Sequence, residues 1–408
     1  VSTEGLSGVL PWEQARHVAG TSAHPLPRAA ARLDEAIGST LAADLVTLQD
    51  DPPADCADVD GYAVCGEGPW LLDSLDLLAP GWAAPIHRGT DVPHHCDAVI
   101  RADRATVRDT PQGRREVWMH DPLTGIADDR VRPDLGEGIA RASSRAARGA
   151  RLLLAGRTVT PATIALAAAH GYDEVTVVRP PVVGVLVLGS SLLDRGLPRH
   201  GRVRDALGAA VPSFVGRVGG RGNPAVRAPD TVDLLLREIE DANVDVLITT
   251  GSTAPGPDNH LRAVLRDLNA RWLVDGVSVT PGAQMLLARL TDGRFVIGLP
   301  GDPCAAMAAL VTLATPLIAT LRDEPAPVEP VRRSAVLIDD IVPADYADDT
   351  ALVPVRLEVS AAGTLARPLP ATGAAGLAGW ASAHALAVVP PGAGYRGDVV
   401  ALLDPYGR

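Results

Sequence analysis

The chain has 408 residues, of which 47% are hydrophobic and 21% charged; this excludes an extensively disordered protein and suits two to four domains. A formal charge of −12 sets up a field that repels polyanions and argues against a nucleic-acid partner. The sequence contains no lysine, so every basic group is Arg or His and chemistry through a Schiff base is excluded. Cys56, Cys65, Cys96 and Cys304 form no C-x-x-C pair or zinc-like spacing and read as reduced cytosolic thiols. The first residues lack a basic segment followed by an apolar run, which points to a cytoplasmic chain.

Trp12 to Gly38 carries apolar positions at helical spacing, including Ala30, Leu33 and Ile37, and leads into LAADLVTL (41–48), an expected strand. Pro52 and Pro53 mark a boundary. Residues 59–148 alternate short apolar runs with turns, as a small β-rich domain does. The stretch 151–178 reads as strand, turn, helix and strand, with Thr160 as N-cap, Pro161 at the first helical position and Gly171 as the stop. Helix-bearing sequence on both sides of a β-rich insert (51–148) suggests one N-terminal domain built from 1–50 and 149–180.

VVGVLVLG (182–189), VDVLITTG (244–251) and FVIGLPGDP (295–303) are continuous apolar strands that end in small-residue loops. Asp230 precedes a helix whose Val232, Leu235, Leu236 and Ile239 share a face. The alternation predicts an α/β multidomain fold whose central doubly wound α/β domain, 181–322, presents its ligand edge at those loops. Cys304 to Leu321 is apolar but holds Thr312, Thr315 and Pro316, and reads as a buried helix rather than a membrane span. Pro-broken β runs from 323 to 408 suggest a C-terminal β domain.

The loop TTGSTAPGPDNH (249–260) is rich in small residues at the carboxyl end of a strand, where N–H groups can cradle an anion; a plain structural turn is an equally good reading. In LPGDP (299–303), Asp302 can cap the next helix or bind a hydroxyl or metal. Asp60, beside Gly61, fits an Asx turn. GRVGGRGN (216–223) follows a helix, not a strand, and reads as a loop. His94, His95 and Cys96 point apart and find no second ligand pair.

Taken in order, these motifs resemble one family. DPPADCADVDGYAV (51–64) resembles P-P-F-D-N-S-A-M-D-G-Y-A-V, and VPHHCDAVI (92–100) resembles L-P-E-G-A-D-A-V-V. Residues 151–189 are similar to L-L-x-A-G-x-x-L-x-P-A-x-I-G-L-L-A-S-x-G followed by R-R-P-x-V. DVLITTGSTAPG (245–256) is similar to D-L-V-I-T-T-G-G-V-S-V-G, and VIGLPGDPCAAM to V-F-G-L-P-G-N-P-V-S-A. The family is that of the molybdopterin molybdenumtransferases of molybdenum cofactor biosynthesis.

The resemblance implies an elongated four-part subunit, a homodimer, and a central domain that binds molybdopterin. Family members take adenylylated molybdopterin, place molybdate on the dithiolene and release AMP with magnesium. Carried over by position, Thr250, Gly251, Ser252, Gly256 and Asp258 line the phosphate and pterin loop. Pro300, Gly301, Asp302 and Pro303 form the neighbouring wall, with Arg356 as a further ligand-binding match. Asp60, Arg88 and Asn259 fall on catalytic positions, and Asp60, Asp258 and Asp302 are the candidate metal ligands. No membrane is implied.

Several reactive positions differ. The family's threonine in its T-G-A turn falls on Arg88 and the acidic residue of G-E-D-I on Gly138. Its D-E pair after the central strand falls on Ser190 and Ser191, and the aspartate after T-T-G-G on Asn259. Two lysines fall on Thr280 and Ala283, and a serine on Ala374. Three readings follow: a transferase with a modified site, a noncatalytic molybdopterin-binding carrier or scaffold, or an unrelated activity on the same scaffold.

Overall fold

The computed structural model describes residues 8–74, 76–121, 124–129, 131–256, 259–324, 333–341, 348–361 and 363–406. They group into two compact units, one of Val1–Ala43, Ala155–Ile164 and Glu174–Arg408, the other of Asp44–Leu154 and Ala165–Asp173.

The centre of the first unit is a sheet in the order Arg221–Gly222, Val182–Leu188, Val246–Thr250, Phe295–Leu299, Leu286–Arg289, Arg271–Asp275. The first four strands are parallel and the last two antiparallel. Residues 221–222, read as loop from the glycines around them, supply the short edge strand. Alternation along Val182–Leu188 loads both faces. Val183, Val185 and Val187 pack with the helix Leu207–Arg217 and the apolar helix beginning at Pro303. Leu186 and Leu188 pack instead with Leu235, Ile239, Leu261 and Leu265 from the helices Val232–Asp241 and Leu261–Asp267. Val232, expected on that buried face, is 37% exposed; Leu235 and Ile239 are buried there and Leu236 packs against the same cluster.

The helical run Pro303–Leu321 is 89% buried, with a π turn at Leu310–Ala314. It is the one described helix long and apolar enough to cross a membrane, and its burial among core residues accounts for that composition.

The N-terminal helix ends at Thr21, well short of Gly38. Pro25 and Pro27 interrupt the helical spacing, and Arg28–Arg32 instead pairs antiparallel with Glu174–Val178. The expected strand 41–48 is split into Thr40–Leu41 and Leu45–Val46. Thr160 Oγ1 accepts from the Thr163 N–H at 3.2 Å at the start of the helix Pro161–Ala169, and Gly171 ends it at φ +85°.

The C-terminal strands close on themselves: Thr350–Ser360, Gly363–Pro368, Arg333–Leu337, Val399–Leu403 and Ala385–Val389 pair in that order, and the last returns to the first. Leu337, Val353, Val355, Ala387 and Leu402 fill the interior. Two earlier segments, Leu10–Pro11 and Val277–Thr280, extend the sheet from its first strand.

The second unit is built on a six-stranded sheet in the order Ala105–Asp109, Arg115–Met119, Trp70–Leu72, Trp82–Ile86, Gly61–Cys65, Ala98–Arg101. Its two faces carry separate clusters, one around Ala63, Ile86 and Val99 and the other around Trp70, Ile100 and Val117.

Candidate functional site

A cleft of about 390 Å³ opens at the carboxyl ends of the parallel strands of the first unit, lined by Leu188, Leu192, Val203, Arg204, Asp205, Ala206, Leu207, Thr250, Gly251, Gly301, Asp302 and Pro303. Open parallel sheets place ligands at this edge, because strand ends and helix starts turn backbone donors towards the same space. Two loops form one wall. The Gly251 N–H donates to the Leu299 carbonyl at 2.9 Å. Gly251 has φ +84°, a conformation that a side chain strains.

Thr250 is 3% exposed, and its hydroxyl has no partner among the described residues. The Gly301 N–H likewise has none among them. Asp302 caps the following helix, with Oδ1 accepting from the Ala305 N–H at 2.9 Å. That is the structural role available to it from sequence.

The opposite wall comes from 188–207. The Asp205 carboxylate is buried; Oδ1 accepts from the N–H groups of Leu207 and Gly208 at 3.0 and 2.9 Å, and Oδ2 from Arg227 at 2.6 Å. Burial pushes its carboxyl up, but the Gly208 N–H, Arg227 and the Leu207 N–H together outweigh that and hold it below the usual range. Arg204 donates through Nη1 to the Leu193 carbonyl at 3.1 Å and has no carboxylate partner among the described residues. Arg202 donates to the Ser190 carbonyl at 3.0 Å.

The sequence-derived residues separate into three groups. Thr250, Gly251, Gly301, Asp302 and Pro303 meet in the cleft. Ser252 is turned away, its Oγ accepting from the Leu261 N–H at 3.2 Å. Asn259 is half-buried with its N–H on the Gly256 carbonyl at 3.3 Å, and Pro300 is buried; none of these lines the cleft. Arg356 is exposed on the strand Thr350–Ser360, directly opposite Arg367. Asp258 lies outside the described residues.

In the second unit Asp60 is exposed, and Oδ1 accepts from the Arg88 N–H at 2.9 Å with His87 Nδ1 at 3.5 Å. The Arg88 N–H first, then His87, hold its carboxyl below the usual range. The Arg88 guanidinium lies 3.8 Å from Asp58, which also pairs with Arg145 at 3.2 Å. Gly61, read as a turn glycine, is required for another reason: a Cβ there would stand 1.8 Å from the Ile100 carbonyl oxygen. Gly138 is similarly confined, with φ +71° and a would-be Cβ 2.3 Å from the Val99 oxygen. An acidic side chain at 138 is therefore barred by the backbone as well as missing from the sequence.

Sequence reading missed Asp205, Arg204 and the apolar wall of Leu188, Leu192, Val203 and Leu207. The available signal was the segment RVRDAL (202–207), where an aspartate stands just before an apolar helical run.

Among the described residues the carboxylates of the cleft do not make a cation site. Both Asp205 oxygens are engaged, Asp302 has only Oδ2 uncommitted, and a hard divalent ion takes about six oxygens. Among the described residues no group of three or more His, Cys, Asp or Glu could hold a metal.

A doubly wound sheet with a polar cleft at its strand ends defines an α/β ligand-binding protein. Comparison with known proteins narrows the class. Residues 10–171 match the MoeA N-terminal region (domain I and II), and residues 184–320 match a probable molybdopterin binding domain. The chain belongs to the MoeA-type family. It is 28% identical to a molybdopterin molybdenumtransferase of Bacillus subtilis over 309 residues, covering 71% of this chain and 69% of the relative. A Staphylococcus epidermidis molybdopterin molybdenumtransferase is 24% identical over 381 residues, 88% of this chain and 86% of the relative. The fold is shared with a molybdopterin biosynthesis MoeA protein from Pyrococcus horikoshii, at 24% identity and TM-score 0.73, covering 97% of this chain and 98% of that one.

Proposed function

We propose that the chain acts in molybdenum cofactor biosynthesis as a molybdopterin molybdenumtransferase, taking adenylylated molybdopterin and molybdate and releasing AMP. The observation that carries this reading is the cleft between the 250 and 301 loops. It lies in the segment that matches a molybdopterin binding domain and offers a Thr250 hydroxyl and a Gly301 N–H that have no partner among the described residues. The noncatalytic carrier or scaffold is the less favoured reading, since the curated relatives carry the transferase name.

In this reading Thr250, Gly251, Gly301, Asp302 and Pro303 hold the phosphate end of a molybdopterin-type ligand. Thr250 and Gly301 donate hydrogen bonds, while Leu188, Leu192 and Leu207 exclude water from one side. Ser252 and Pro300 shape the loops from behind. Gly256 and Asn259 belong to the outer part of the same loop, Asp258 is carried over from the family pattern as a ligand-binding residue, and Arg356 is a further contact for an anionic ligand. Asp60, held by the Arg88 backbone N–H, and the Arg88 guanidinium, beside Asp58, serve the reaction as its catalytic residues.

Magnesium is the ion that the resemblance implies, through Asp60, Asp258 and Asp302; the described donors of the cleft do not fit it. The proposal includes a homodimer, a cytoplasmic location and the four-part division 1–50 with 149–180, 51–148, 181–322 and 323–408.

Equilibrium titration with molybdopterin tests the reading. Binding by the unaltered chain, weakened roughly three- to tenfold by Thr250→Val through loss of one hydrogen bond, is expected. No binding by folded protein contradicts it.

A further inference from the structure

The strand end that carries two carboxylates in the family pattern carries Ser190 and Ser191 here, with guanidinium groups folded over it. Arg202 donates to the Ser190 carbonyl and Arg204 to the Leu193 carbonyl. Arg204 lines the cleft, and its fork retains N–H groups beyond the one held by Leu193. The two acids of the cleft are occupied, Asp205 by Arg227 and two backbone N–H groups, Asp302 by its helix cap. What the cleft offers among the described residues is thus a cation without a carboxylate partner, an N–H, and the unpartnered hydroxyl of Thr250, a residue 3% exposed. Each of these three groups can donate to an anion, and among the described carboxylate oxygens of the cleft only Asp302 Oδ2 is uncommitted.

We infer that the cleft binds a phosphate monoester directly, without a divalent cation, and that Arg204 supplies the positive charge. The inference rests on the reading of this cleft as the molybdopterin-type site. A phosphate monoester carries between one and two negative charges near neutral pH, and a guanidinium fork meets it with two parallel hydrogen bonds. Arg204 is pre-set for this by its bond to Leu193, on a strand pair, Leu192–Leu193 with Val203–Arg204, that forms one wall of the cleft. The Gly301 N–H and Thr250 hydroxyl supply donors from the facing loops. Ser190 and Ser191 carry no negative charge, so the strand end beside the cleft does not repel an anion.

Calorimetric titrations of the full chain with AMP and, separately, with molybdopterin, each in EDTA and in excess magnesium chloride, test the inference. The expected result is one dissociation constant per ligand in both buffers, raised roughly tenfold by Arg204→Gln through loss of a charge-assisted bond. Arg204→Lys recovers part of the affinity, and the unfolding curves of both variants match the parent. Binding that appears only with magnesium, or that is indifferent to Arg204→Gln, overturns the inference while leaving the proposed function standing. AMP binding that depends on Arg204, without molybdopterin binding in either buffer, upholds the inference and removes the proposed function. Absence of binding by either ligand removes both.

Discussion

The Asp205 carboxylate joins two tasks at one wall of the cleft, capping the helix Leu207–Arg217 and anchoring Arg227. Its folded carboxyl titrates below the unfolded value of about 3.9. The stabilisation is therefore complete above that value and is lost as pH falls through the folded one. Asp205→Asn keeps a capping side chain but loses the charge; we expect it to lower stability by roughly 1–3 kcal/mol at neutral pH. Urea unfolding from pH 7 down to pH 2 should show the difference between variant and parent shrinking as the acid end is reached. A constant difference would contradict the assignment. Burial, and then the neighbouring Asp302 charge, push the Cys304 thiol up. Cys304 is 1% exposed, so native protein should leave it unalkylated by iodoacetamide at pH 7, and denatured protein should not; mass spectrometry reads both. Gly138→Asp restores the acid of the family pattern, yet it meets the Val99 carbonyl at positive φ. The expected result is a loss of roughly 1–3 kcal/mol in denaturant unfolding with no gain of activity.

At the scale of elements, the helix Trp12–Thr21 is fastened to the apolar run Pro303–Leu321 by polar bonds. Trp12 Nε1 donates to Thr312 Oγ1 at 3.0 Å, and the buried Arg16 donates to the Val311 carbonyl, inside the π turn whose carbonyls a regular α-helix would engage. Burial pulls the Arg16 guanidinium down to about 10, against an opposing pull from Asp404, so it stays charged at neutral pH. Trp12→Phe should cost roughly 1–2 kcal/mol, read as a lowered urea midpoint with an unchanged slope; an unchanged midpoint would mean that the bond contributes nothing. The strands 182–188, 246–250 and 295–299 were legible because burial on both faces writes an uninterrupted apolar run. The helix Gly373–Ser382 was not: GAAGLAGWAS is small-residue sequence without an amphipathic stripe. The N-terminal helix was overextended because RAAAR fits helical spacing as easily as a strand, and only its pairing with Glu174–Val178 decides between them.

Across the first unit, one arginine ties segments far apart in sequence. Arg322, 1% exposed, donates to the carbonyls of Val218 and Gly38 and to Thr158 Oγ1, and pairs with Glu324 at 3.1 Å. Arg322→Met takes this donor from the Val218 and Gly38 carbonyls and this partner from Glu324, which among the described residues keeps only the Thr158 hydroxyl, and should lower stability by roughly 3–5 kcal/mol, measurable by chemical denaturation. The five-strand closure of the C-terminal sheet was also invisible in the sequence. A β domain could be read from short runs, but pairing with Leu10–Pro11 and Val277–Thr280 brings in segments separated from it by dozens of residues or more. The candidate site was legible on one wall only. Glycine-rich loops announce themselves by composition, whereas the wall of Arg204 and Asp205 depends on where a polar loop folds back. That altered wall is also why turnover is the decisive property. Incubation of the purified chain with adenylylated molybdopterin and molybdate, with released AMP quantified over time, tests it most directly. The account predicts AMP release that outpaces the protein-free control and is reduced by Arg204→Gln; adenylate that stays intact in the presence of folded, ligand-bound protein would contradict it.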